Sequence, residues 1–113
     1  MCEVAINLNI SNTIINVNTA IPCGLILNEL LTNCYKHAFK GRANGTIHIW
    51  FTNNNNKVSL IVKDNGVGLP KDFDKTKSLG ITVIQSLSEQ LEGEYKFSSE
   101  NGASFELNFN YQQ

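Results

Sequence analysis

Charge, histidine and cysteine are scarce in this chain, and each shortage removes a class of function. Charged residues make up 17% of the 113 positions, and the net charge is −1. With no basic surplus, a surface for nucleic acid or another polyanion is not expected. The three cysteines, Cys2, Cys23 and Cys34, show neither CxxC nor Cys/His metal spacing. An odd, scattered set suits free thiols in a reducing, cytoplasmic setting better than a disulfide framework. No apolar run approaches the length of a membrane span, so no direct membrane contact is expected, and no signal-peptide pattern opens the chain. The P-loop and the dinucleotide GxGxxG fingerprint are both missing. There is no internal repeat and no long linker, so the expectation is one domain over residues 1–113. Met1 runs almost directly into a strand pattern, which suits either a minimal protein or one domain of a longer one.

What is present is apolar patterning. Hydrophobic residues are 42% of the chain, enough for a core at this size. Val4, Ile6, Leu8 and Ile10 alternate with smaller or polar residues and predict a half-buried strand. Residues 14–17 predict a second short extended piece. Thr19 is placed to cap a helix with Pro22 in its first turn, and that helix should run to about Phe39. Residues 46–52 and 58–63 predict a hairpin joined by four asparagines. Residues 71–77 form a charged connection without strong periodicity. A second helix follows, with Ile84, Leu87 and Leu91 as its stripe, Ile81 and Val83 beside it, and Gly93 at its end. Residues 95–99 and 104–109 predict a last hairpin through Glu100-Asn101-Gly102. Hairpins interrupted by separate helices imply an α+β fold. It should be a two-layer α/β sandwich whose mixed, mainly antiparallel sheet carries the helices on one face.

Three stretches carry chemistry-bearing residues. In residues 25–39, LILNELLTNCYKHAF, Leu27, Leu30, Leu31, Cys34 and Ala38 share one helical side. Glu29, Asn33, Lys36 and His37 share the other. A carboxylate, an amide oxygen and cations one turn apart suit a metal, a nucleophile or a phosphate; an ordinary amphipathic helix fits the pattern equally. Asp64 follows a strand and precedes Gly66 and Gly68. A carboxylate there can accept from an exocyclic amine while the glycines admit a flat base, although GxG also makes a plain sharp turn. Ser78, Leu79, Gly80 and Ile81 open the second helix, where unpaired N–H groups favour anions. Each piece alone is more often structural.

Together they resemble a known family. NELLTNCYKHAF (28–39) resembles the N box, DNGVGLP (64–70) the G1 box and SLGITVIQSLSEQLEG (78–93) the G2 region of the histidine-kinase-type ATP-binding domain. NGASFELNF (101–109) resembles its closing hairpin. Sensor histidine kinases, DNA gyrase, MutL-type repair proteins and large heat-shock chaperones share this superfamily. The resemblance implies the Bergerat-type fold, with ATP and Mg2+ as ligands, and the catalytic domain of a two-component sensor histidine kinase as the role. It makes Asn33 the magnesium ligand and sets Lys36 and His37 near the phosphates, although His37 equally suits a helix-end contact. It gives Asp64 the adenine amine, Gly66 and Gly68 the base and lid entrance, and Gly80 with the backbone of Leu79 and Ile81 the phosphates. Glu29 would either polarise the accepting histidine or activate water, as in the chaperone and gyrase relatives.

Two departures qualify that expectation. The family often has a threonine where this chain has Ala103, and Ser104 should point to the opposite face, so adenine recognition is expected to be weaker or rewired. The segment between the G1 and G2 motifs is short, which predicts a small lid. The two histidines, His37 and His48, do not resemble a phosphoacceptor, and His48 should lie on the sheet surface. The partners implied are therefore a separate dimerisation and acceptor domain and a downstream response regulator, with this domain itself monomeric. Competing readings are a chaperone- or repair-type ATPase, a serine kinase of the same fold, and a degenerate nucleotide-binding interaction module.

Overall fold

The computed structural model describes residues 3–69 and 79–111; Cys2, the charged connection at 71–77 with its predicted lid, and Ser78 lie outside them. The described elements are β1 (Glu3–Ile10), α1 (Val17–Asn33), a π-helical turn (Cys34–Ala38), β2 (Asn44–Asn54), β3 (Lys57–Asp64), α2 (Leu79–Gln90), β4 (Glu94–Ser99) and β5 (Ala103–Asn110). The strands form one sheet in the order β1-β2-β3-β5-β4. β1 runs parallel to β2, and every other neighbouring pair is antiparallel. This is the mixed, mainly antiparallel α+β architecture that the hairpin pattern predicts.

Strand alternation builds the core. Ile47 and Ile49 of β2, Val58, Leu60 and Val62 of β3, and Phe105, Leu107 and Phe109 of β5 are all buried. In each strand they fall at every second residue, on one face of the sheet. Ile26, Leu30 and Cys34 from the first helical segment and Ile81 and Ile84 from α2 pack into the same core. Burying a side chain such as Ile26 or Ile84 contributes about 1.5–3 kcal/mol. The β2–β3 hairpin turns on Asn55 and Asn56, at φ 53° and 67°. Two consecutive left-handed residues match the twist of a tight hairpin, and asparagine tolerates that conformation. On the other face of the sheet His48 stacks on Trp50 with ring centroids 5.5 Å apart, in keeping with its expected surface position.

Four local expectations are corrected. β1 is not half-buried: its apolar residues point to the core side in register with Ile47 and Ile49, yet Leu8 is 60% exposed. As the edge strand, β1 has strand neighbours on one flank only. Residues 14–16 form no strand, and Val17 already opens α1. The cap is Asn16, whose side-chain oxygen accepts the Thr19 N–H at 3.0 Å, so Pro22 lies inside the helix rather than in its first turn. α2 reverses at Glu92 (φ 56°), while the Gly93 N–H donates to the Ser88 carbonyl at 3.0 Å. The glycine therefore follows the reversal instead of making it. Ser88, fully buried and absent from the predicted stripe, satisfies its hydroxyl on the Ile84 carbonyl. No helix among the described residues is long and apolar enough to cross a membrane.

Candidate nucleotide-binding site

α1 ends where its polar residues begin to matter. Glu29 and Asn33 are half-buried, one turn apart, and among the described residues neither side chain has a hydrogen-bond partner. After Asn33 the helix widens into the π turn that carries Lys36 and His37, both exposed. A π turn holds an extra residue per turn, so α-helical spacing relates Glu29 to Asn33, while beyond Asn33 the wider turn keeps His37 near the same stripe and rotates Lys36 away from it. The Cys34 N–H is shared between the Leu30 and Leu31 carbonyls at the switch.

Asp64 closes β3 and is 3% exposed. Its Oδ1 accepts the Gly66 N–H at 2.8 Å and the Ala103 N–H at 3.1 Å. Its Oδ2 accepts the Cys34 thiol at 3.4 Å. A carboxylate is acceptor-only with about four lone-pair positions, so these three donors leave one, on Oδ2. The surrounding backbone is closely apposed. A Cβ at Gly66 would run into the Ala38 carbonyl, whose oxygen also accepts the Val67 N–H at 2.9 Å. A Cβ at Gly102 would run into the Asp64 carbonyl, at a φ of 122° that side chains rarely adopt. Gly68 turns the chain beside Ser99, whose hydroxyl accepts the Leu69 N–H. Asn65 anchors the loop to β2 by accepting the Thr46 N–H at 2.9 Å on its side chain. The π turn, the Asp64 loop and the start of β5 thus meet around one carboxylate.

At the start of α2, Leu79 is 81% exposed, Gly80 is half-buried and Ile81 is buried in the core. Ile81 can offer only its backbone to a ligand. No hydrogen bond among the described residues links Leu79 or Gly80 to the Asp64 cluster.

A profile of the histidine kinase-, DNA gyrase B- and HSP90-like ATPases matches residues 18–113. The chain belongs to this family. Blue-light-activated histidine kinase 2 of Erythrobacter litoralis is 30% identical over 94 residues, which are 80% of this chain and 27% of that protein. Sensor histidine kinase PdtaS of Mycobacterium tuberculosis is 33% identical over 73 residues, 61% of this chain and 15% of that protein. The chain therefore spans about a quarter or less of these relatives. The histidine kinase domain of the Erythrobacter litoralis EL346 blue-light-activated kinase superposes with a TM-score of 0.87 at 25% identity, over 96% of this chain and 52% of that one. The chain is homologous to the ATP-binding catalytic domains of sensor histidine kinases.

Among the described residues no three His, Cys, Asp or Glu side chains cluster as a cation cage. The free amide of Asn33 fits an ion held mainly by phosphate and water, which is the habit of magnesium. An open apolar groove of about 320 Å³ lies on another flank of the helix, between Val4, Ile6 and Ile47 and the Leu31, Thr32 and Tyr35 side. It is separate from the polar cluster.

The site residue that the sequence pattern missed is Cys34. Burial, the Asp64 charge and the hydrogen bond to Asp64 push its thiol up to about 12, so it stays a donor. An apolar helical stripe signals that a cysteine is buried; it carries no sign of a partner thirty residues away.

Proposed function

We propose that this domain binds ATP with Mg2+ and passes the γ-phosphoryl group to a histidine on a separate dimerisation and acceptor domain of a two-component sensor kinase. A response regulator would receive the phosphoryl group next. The observation that carries the reading is Asp64: a buried carboxylate fixed by three donors, with one acceptor position left to take an exocyclic amine. In this reading adenine lies against the Gly66 backbone, and Gly68 shapes the entrance to the lid. Asn33 offers its side-chain oxygen to magnesium. Lys36 and His37 carry donors for the phosphates, and the first turn of α2, around Leu79, Gly80 and Ile81, brings the positive end of a helix, which favours anions. Magnesium, when bound, supplies positive charge to the phosphate oxygens. Glu29, half-buried and without a hydrogen-bond partner among the described residues, would polarise the accepting histidine by taking its proton. The setting proposed is cytoplasmic, where the buried thiols Cys23 and Cys34 stay reduced.

Calorimetry tests the first half. The chain should bind ATP–Mg2+, and Asp64→Asn should weaken binding at least about tenfold, since the amide puts a donor where the base brings one. Incubation with labelled ATP and an acceptor domain tests the second half. Label on a histidine supports the kinase; label only in free phosphate, lost in Glu29→Gln, turns the reading to a hydrolase.

A further inference from the structure

Asp64 can read a base only if its free lone pair points in a fixed direction. The two backbone donors both act on Oδ1, from Gly66 and Ala103. They hold one oxygen, and the planar carboxylate then turns only within the tolerance of those two bonds; a donor on the other oxygen narrows that tolerance and takes one of its two lone-pair positions. The described structure supplies one donor to Oδ2, the Cys34 thiol at 3.4 Å. Cys34 is 9% exposed and packs in the core cluster, and its backbone is tied by the shared bond to Leu30 and Leu31. The donor therefore comes from a rigid turn. Position 103 carries a methyl group and no hydroxyl, so the residue that opens β5 gives Asp64 only its backbone N–H.

We infer that Cys34 is a positioning residue for base selection: its thiol orients Asp64 Oδ2 so that the remaining lone pair meets a 6-amino group and rejects a 6-oxo group. This rests on the proposal that Asp64 reads adenine. Two neighbouring residues, where α1 passes into the π turn, then serve both ends of a nucleotide, Asn33 toward the phosphates and Cys34 toward the base. A thiol is a weak donor, and serine at the same position would be a shorter but stronger one.

The test compares binding of ATP and inosine triphosphate, each with Mg2+, by calorimetry on the whole chain. The two ligands differ at the 6-position, so their ratio isolates base selection from folding and phosphate contacts. Cys34→Ala should lower the ATP-to-inosine-triphosphate preference about tenfold, while Cys34→Ser should hold it within about threefold of the parent. Cys34→Val, close to cysteine in volume, should behave like the alanine variant and stands in for it if alanine fails to fold. An unchanged preference in the folded alanine or valine variant overturns the inference, whatever happens to overall affinity. Failure of serine to preserve the preference overturns it too, because packing rather than donation would then matter. Asp64→Asn separates the two layers. If it leaves the preference intact, the adenine reading itself falls; if it abolishes the preference while Cys34→Ala does not, only the role of Cys34 falls.

Discussion

Gly102 shows how little freedom a single position near Asp64 has. Its φ of 122° and the contact any Cβ would make with the Asp64 carbonyl both exclude a side chain. Gly102→Ala should cost about 2–3 kcal/mol in urea unfolding and weaken ATP binding, because the strain falls on Asp64, the residue proposed to hold the base. Gly24 is the contrasting case. It lies in α1 with nothing within 4 Å of the place a methyl group would take, and its φ is ordinary. Gly24→Ala should stabilise the chain by about 0.5–1 kcal/mol, read in the same experiment, with ATP binding unchanged. At this scale the sequence told unevenly. Asp64 was legible because a carboxylate between a strand and GxG is a local pattern. The Cys34 bond was not, since it depends on a contact between two elements.

At the scale of elements, α1 is fixed at both ends by features that periodicity does not encode. Residues 11–19 hold several types able to cap a helix, among them Ser11, Asn16 and Thr19, and local sequence does not rank them. The fold selects Asn16, whose N–H donates to the Tyr111 hydroxyl at 2.7 Å, just beyond the end of β5. Asn16→Ala should therefore cost about 1 kcal/mol and lower the melting temperature by several degrees. Its backbone bond to Tyr111 would remain. The π turn was equally hidden, because residues 34–38 read as a simple continuation of the helix. β1 makes the complementary point. Alternation correctly gave the face of Ile6, Leu8 and Ile10 but not their place at the sheet edge, which only the strand order decides.

For the whole molecule, the two buried thiols link stability to pH. Burial raises Cys23 from 9.0 to about 11, and Cys34 is raised to about 12. The folded chain thus holds these protons more tightly than the unfolded one. The associated stability is fully present below about pH 9 and is lost as pH rises toward 11 and 12, by up to about 1.4 kcal/mol per pH unit for each thiol. Urea midpoints should fall between pH 8 and pH 10, and Cys23→Ala should make that fall shallower; an equal slope would count against burial as the cause. Such measurements have a convenient optical handle. The single tryptophan, Trp50, lies on the sheet face away from the helices, stacked on His48, while Asp64 and the end of α1 lie toward the helical layer. Its fluorescence should change when the sheet melts and stay silent when a nucleotide binds. One sample can then report folding by emission and ligand occupancy by heat, without either signal contaminating the other.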